Sequence, residues 1–186
     1  MRIVGGEFKG RRLKAPRGLK TRPTSEKVRE ALFDILGGRV EGSVFLDLYA
    51  GTGAVGLEAL SRGARETVFI EAEGQTVAVL KENLRALGLE ERASVLVLPA
   101  ERALRVLRDG GGELDLAFCD PPYADPLWPD LLAHLGEALP LCSGGLLVLE
   151  HAARTVPATP EGFERVRNYK YGDTGLVVMR KVRSEE

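Results

Sequence analysis

Ser43-Val44-Phe45-Leu46-Asp47-Leu48-Tyr49-Ala50-Gly51-Thr52-Gly53 is the stretch on which the reading of this chain turns. An apolar run of strand length ends in an acid, passes through two glycines and gives way to Val55–Ser61, which suits a helix. Gly51 and Gly53 permit a sharp turn and let the backbone come close to a ligand, at the positive end of the helix that follows. With Gly56 they also spell G-x-G-x-x-G, the spacing of a dinucleotide-binding loop. Asp47 argues against a pyrophosphate there, because a carboxylate at the strand end repels phosphate and favours a cationic amino or sulfonium group. A second apolar run, Thr67–Glu71, ends in another acid, about 20 residues beyond Gly51, where ribose hydroxyls are commonly held. A nucleoside with a cationic tail satisfies both acids, and S-adenosylmethionine is such a molecule.

The alternation continues outward. A helix with Val77, Leu80, Leu84 and Leu87 on one face ends at Gly88, and Ser94–Leu98 makes a third strand. Ala103, Leu104 and Leu107 mark the next helix, Leu114–Cys119 the fourth strand, Pro129–Leu139 a helix, and Gly145–Glu150 the fifth strand. Strands apolar throughout, separated by helices, predict a parallel sheet covered on both faces. Phe163–Tyr171 and Gly175–Lys181 are separated only by Gly172-Asp173-Thr174, too little for a helix, and predict an antiparallel hairpin. The expected fold is α/β, a Rossmann-like seven-stranded doubly wound sheet closed by a C-terminal antiparallel hairpin. Upstream, Thr24-Ser25-Glu26-Lys27 opens a helix carrying Val28, Ala31, Leu32, Ile35 and Leu36, which Gly37-Gly38 ends.

Charge is unevenly spread. Residues 1–29 hold ten Lys or Arg against Glu7 and Glu26, so +8 of charge precedes a remainder of −9 in a chain whose net charge is −1. A basic N-terminal arm, folded as a small hairpin through Ile3, Val4, Phe8 and Leu13, suggests a polyanionic partner met at one end. Lys9, Arg11, Arg12, Lys14, Arg17, Lys20 and Arg22 are the candidate phosphate contacts, with Lys170 on the terminal hairpin. The expected layout is an arm over 1–23, a catalytic domain over 24–183 and a short tail over 184–186.

The fourth strand runs into Asp120-Pro121-Pro122-Tyr123. In the strand order 3-2-1-4-5, the crevice at the carboxyl ends lies between the first and fourth strands and brings this segment opposite Gly51–Gly53. An exocyclic amine on a base is a poor nucleophile, its lone pair being delocalised into the ring. Hydrogen bonds to the Asp120 carboxylate and the Pro121 carbonyl favour a pyramidal nitrogen aimed at a methyl group. The paired prolines stiffen the backbone that presents those acceptors. Tyr123 offers a face on which an extruded base can stack, worth roughly 1–3 kcal/mol.

The basic arm Arg2–Lys14, the segment Thr21–Glu30, Asp47–Gly53, Asp120–Tyr123 and Tyr171–Thr174 occur in an order that closely resembles the RsmD family of bacterial methyltransferases across essentially the whole chain. The resemblance implies the class I fold, S-adenosylmethionine as cofactor and transfer of one methyl group to N2 of a guanine in 16S ribosomal RNA, on a small-subunit assembly particle. It implies catalysis by Asp120, Pro121, Pro122 and Tyr123. Cofactor contacts would come from Asp47, Tyr49, Ala50, Gly51, Thr52, Gly53 and Glu71, with Ala100 beside the adenine and Thr24 and Arg22 over cofactor and base. Capping of the first helix is a second expected role for Thr24. Pro99-Ala100 departs from the acid or amide such families usually place there.

Two other readings compete: a DNA adenine-N6 methyltransferase using the same D-P-P-Y string, and a non-catalytic RNA-binding assembly factor. The first needs a sequence-recognition domain for which 186 residues leave little room. The second leaves Asp47, Gly51, Gly53 and Asp120 without purpose. Composition is that of an ordinary globular protein, with 44% hydrophobic and 28% charged residues. Apolar runs are too short to cross a bilayer and the first residues lack a signal peptide's apolar core, so a cytoplasmic protein is expected; a monomer is expected as well. Cys119 and Cys142 lack metal-ligand spacing and are expected as buried thiols; His134 and His151 have no nucleophile beside them, and no metal is expected.

Overall fold

The computed structural model describes residues 1–15, 24–122 and 128–182. Seven strands form one sheet: β1 (Val44–Leu48), β2 (Glu66–Ile70), β3 (Ala93–Leu96), β4 (Leu114–Cys119), β5 (Leu141–Ala152), β6 (Phe163–Tyr171) and β7 (Thr174–Lys181). Their order is β3-β2-β1-β4-β5-β7-β6, parallel from β3 to β5 and antiparallel through the last hairpin, as the alternation of apolar runs predicts. The order reverses between β1 and β4, which pair directly, Leu48 against Cys119.

Among the described residues five α-helices cover the sheet: α1 (Glu26–Leu36), α2 (Ala54–Ser61), α3 (Gly74–Leu87), α4 (Ala100–Asp109) and α5 (Trp128–Ala138). Side-chain alternation along the strands divides the core. Phe45, Leu116, Phe118, Val148, Leu176 and Val178 pack with Val28, Leu32 and Phe33 of α1. Leu46, Leu48, Ala117, Leu147 and Val177 face the other way, onto Leu104 of α4 and Leu135 of α5. The helices before the reversal point therefore lie on one side and those after it on the other, the consequence of right-handed crossovers run in two directions.

Residues 1–15 are not a loose tail. Ile3 and Leu13 are buried with Leu57, Leu60, Leu80 and Leu84. A single antiparallel bridge joins Arg2 to Arg12, and the Ile3 N–H donates to the Arg11 carbonyl at 3.0 Å. The segment is fastened to α2 by the Glu58 carboxylate, which accepts from the N–H groups of Val4 (2.8 Å) and Gly5 (2.7 Å). Fully buried Arg29 stands 3.4 Å from Glu58 and also donates to the Arg2 carbonyl. Arg29 thus belongs to the interior, although it counts among the ten Lys and Arg of residues 1–29.

Three sequence expectations need correction. β5 begins at Leu141 rather than Gly145, because the pairing of β4 with β5 shifts register between Leu114 and Leu116 and absorbs Cys142–Gly144 into the strand. Cys119 is buried, but Cys142 is only partly so. The α1 cap is Ser25, whose side chain accepts from the Val28 N–H at 3.2 Å, and not Thr24. Among the described residues no helix is long and apolar enough to cross a membrane.

Candidate active site

The carboxyl ends of β1 and β4 open onto one cavity of about 570 Å³, and its wall includes both Gly51 and Asp120-Pro121-Pro122. This lies within the range of small-molecule sites. Two segments some seventy positions apart meet there because β1 and β4 are neighbours at the point where strand order reverses.

From β1 the chain makes its turn in left-handed backbone. Tyr49 has φ 66°, the one non-glycine residue with positive φ among those described, and Gly51 and Gly53 have φ 55° and 85°. The two glycines serve different ends. A Cβ on Gly51 would meet nothing within 4 Å, so the cavity approaches bare backbone there. A Cβ on Gly53 would lie 2.2 Å from Leu80 Cδ1, so Gly53 lets α2 start hard against α3. Gly56 is a packing glycine too, its missing Cβ replaced by the Phe69 ring. Tyr49, Ala50, Gly51 and Thr52 line the cavity and Gly53 does not.

Asp47 sits on the wall, 2% exposed, and its Oδ2 accepts from the Gly56 N–H at 2.8 Å. Burial pushes its carboxyl up to about 7, against the opposing pull of that hydrogen bond. A cation in the cavity would restore the charged form. Glu71, just past β2, accepts from Gly51 N–H (2.9 Å) through one oxygen and from Glu73 N–H (3.0 Å) through the other. It thereby locks the glycine turn, while each oxygen keeps a lone pair for a ligand hydroxyl.

Across the cavity, Asp120 is half-buried and Pro121 buried. Thr24 Oγ1 lies 3.3 Å from Asp120 Oδ2 and 3.0 Å from Glu150 Oε2, a residue at the end region of β5 that also lines the wall. Burial, followed by the neighbouring negative charges of Glu150 and Asp47, raises the Asp120 carboxyl well above the usual range, and the Thr24 hydroxyl opposes the rise. A hydroxyl has one proton, so Thr24 donates to one of these carboxyls at a time.

Thr24 lies on the cavity wall, and its partners there are the Asp120 and Glu150 carboxyl groups. Ala100 lies off the wall; as the first residue of α4 it packs into the core with Leu48 and Ile70. Glu73 and Thr76, at the start of α3, line the cavity instead. Their signal was position alone, directly after the β2 acid. Glu150 was read only as the end of a strand.

Met1 and Ala15 border the cavity, so the N-terminal segment flanks its mouth. Lys9, Arg11, Arg12 and Lys14 are exposed along this segment, whose turn packs on Ser61 at the end of α2 away from the cavity. Lys14 is engaged by Glu82 at 2.8 Å, and Arg11 donates to the Ala86 carbonyl at 3.0 Å. Lys170 is exposed on β6 and pairs with Gly175, next to cavity-lining Thr174. Tyr169 and Tyr171 stack with ring centroids 6.5 Å apart and pack against the α1 core, the opposite face from Lys170. Arg17, Lys20, Arg22 and Tyr123 lie outside the described residues.

Residues 1–180 match the family model described as Conserved hypothetical protein 95. The chain belongs to this family. It is the RsmD family to which the sequence motifs pointed. Within it, the chain is 37% identical over 182 residues to YlbH of Bacillus subtilis (strain 168), covering 97% of this chain and 99% of that one. It is 33% identical over 162 residues to ribosomal RNA small subunit methyltransferase D of Escherichia coli (strain K12), covering 85% and 80%. The solved structure of yhhF from Escherichia coli superposes with a TM-score of 0.85 at 31% identity, covering 98% of both chains. A chain of the RsmD family with this sheet order is a class I methyltransferase fold.

Proposed function

We propose that this protein transfers a methyl group from S-adenosylmethionine to the exocyclic N2 of a guanine in 16S ribosomal RNA, acting on a small-subunit assembly particle in the cytoplasm. The observation that carries the reading is the single cavity shared by the Gly51 turn and Asp120-Pro121-Pro122. Family membership supports it, since the Escherichia coli relative is named a ribosomal RNA small subunit methyltransferase.

The donor set fits this cofactor. Asp47, a buried acid on the cavity wall held near 7, suits a cationic tail, Glu71 suits ribose hydroxyls, and the bare Gly51 backbone admits close approach. S-adenosylmethionine, when bound, supplies a methyl group already activated by the positive sulfur. The protein's own work is to hold the acceptor amine in line, and positioning of this kind can lower a barrier by about 7–11 kcal/mol. Asp120 and the Pro121 carbonyl take hydrogen bonds from the amine and free its lone pair from the ring. As the nitrogen gains a carbon it must shed one proton, and Asp120, made more basic by burial, is placed to accept it. Tyr123 would supply the stacking face. The exposed Lys9, Arg11, Arg12, Lys14 and Lys170, with Arg17, Lys20 and Arg22, would meet phosphates, which orient the RNA without specifying sequence.

The test is incubation with labelled S-adenosylmethionine and either 16S rRNA particles or DNA, followed by digestion and identification of the methylated nucleoside. N2-methylguanosine is expected, and N6-methyladenine would overturn the reading. In the same assay Asp120→Ala should abolish transfer while binding of the cofactor stays near normal.

A further inference from the structure

Asp120 and Glu150 are neighbours by register as well as by contact. β4 and β5 pair in parallel with Cys119 opposite Leu149, so the next step along both strands brings Asp120 and Glu150 side by side at the cavity. Adjacent strands lie about 4.8 Å apart. Both side chains continue the alternation of Phe118 and Val148 and so point to the α1 side, where Thr24 stands between them. Glu150 is 5% exposed and Thr24 9%. The mechanism above uses one carboxylate, yet the wall carries two, joined through one hydroxyl.

A second carboxylate beside the catalytic one has a consequence for which base can enter. Guanine presents two adjacent donors on its pairing edge, the N2 amino group and the ring N1–H. Adenine presents one amino donor and, at N1, a lone pair. Two neighbouring acceptors match guanine and repel the adenine edge. A flipped base is read by hydrogen bonds to this edge, and a site built to bond a donor rejects an analogue that lacks it far more strongly than an apolar pocket can.

We propose that Glu150 reads the base: its carboxylate accepts the ring N1–H of guanine while Asp120 accepts the N2 amino hydrogen, and Thr24 keeps the two carboxyl groups in place. The Thr24 hydroxyl stands between the two carboxyl groups, 3.0 Å from Glu150 Oε2 and 3.3 Å from Asp120 Oδ2, and so fixes their spacing. Burial and the neighbouring negative charge of Glu150 both raise the Asp120 carboxyl and so favour it as the proton acceptor. Glu150 is thus assigned the choice between guanine and adenine, and Asp120 the chemistry. The inference rests on the proposed guanine-N2 transfer.

The experiment uses 2-aminopurine, which keeps the 2-amino group of guanine but carries a lone pair at N1. The target nucleotide is first mapped from the wild-type product, and an otherwise identical RNA is made with 2-aminopurine there. Wild-type protein should methylate this RNA at least about tenfold more slowly than the guanine RNA. Glu150→Gln can donate from its amide to N1. It should lose rate on guanine and narrow the ratio between the two substrates by about tenfold or more, which a loosened pocket would not do. Binding of S-adenosylhomocysteine by Glu150→Gln, unchanged from wild type, reports that the fold is intact. Equal wild-type rates on the two RNAs would overturn the proposal whatever the variant does, and so would a proportional loss on both in Glu150→Gln. A wild-type product other than N2-methylguanosine is a separate result, which refutes the proposed function before Glu150 is tested.

Discussion

The Thr24 hydroxyl stands 3.3 Å from Asp120 Oδ2, tying the start of α1 to the end of β4 across 96 residues of chain. It weakens the upward pull on the Asp120 carboxyl that burial and Glu150 exert. Thr24→Val keeps the shape and removes the hydroxyl. The acidic limb of the pH–rate profile should then move to higher pH, and turnover should fall by about ten- to a hundredfold, the scale of one hydrogen bond to a charged group. Thr24→Ser should restore both. A limb that stays in place would show that Thr24 does not act on Asp120.

Asp47 makes the free protein's stability depend on pH with a definite sign. Its carboxyl is raised from 3.8 to about 7 by burial. Between those values the folded protein holds a proton that the unfolded chain has released, so stability falls as pH rises through this window and levels off above it. The full loss is on the order of 4 kcal/mol. Thermal melts of Asp47→Asn across pH 4 to 8 should show a flatter profile than wild type. Binding of a cationic ligand to the wild type below pH 7 should release a proton, measurable by calorimetry in buffers of different ionisation heat, and the variant should lose that release.

Gly53→Ala and Gly74→Ala make a matched pair. Gly53 has φ 85° and no room for a Cβ beside Leu80, whereas Gly74, the first residue of α3, has nothing within 4 Å and ordinary backbone. The first substitution should cost about 1–3 kcal/mol from overpacking, with a further 1–2 from the left-handed backbone. The second should be neutral or stabilise by up to about 1 kcal/mol. Denaturant midpoints of the two variants check the order.

The exposed cations of residues 1–15 are not equivalent. Lys14 has Glu82 as partner and Arg11 has the Ala86 carbonyl, while Lys9 and Arg12 are exposed. Changing Lys9 and Arg12 together to Ala should lower the slope of log affinity for rRNA against log salt by roughly 1.5. Lys14→Ala should lower it less, since Glu82 already neutralises part of that charge. Equal slopes in all variants would remove this segment from the RNA interface.

What could be read from the sequence was whatever periodicity and turn chemistry enforce. Apolar runs marked the strands, and Asp47–Gly53 and Asp120–Pro122 marked the two ends that had to meet. Relations set by register could not be read. Glu150 reaches the cavity because β5 pairs with β4 one step short of Asp120, and a single glutamate after an apolar run carries no trace of that. Ser25 and Thr24 are both good caps, and only the contact of Thr24 with two carboxylates leaves the role to Ser25. Ala100 was placed by the family resemblance, whereas α4 begins there and draws it into the core. Arg29 entered the sequence reading only as one charge among residues 1–29, and nothing there shows that it is buried beside Glu58.

The Glu58 clamp settles when an entropy cost is met. Two backbone N–H groups of the N-terminal segment and the Arg29 guanidinium converge on this one buried carboxylate. Lys9, Arg11 and Arg12 are thus carried on a scaffold that becomes ordered as the domain folds. A polyanion that reaches these cations meets charges already arrayed, with no coupled ordering of that loop to subtract from its affinity.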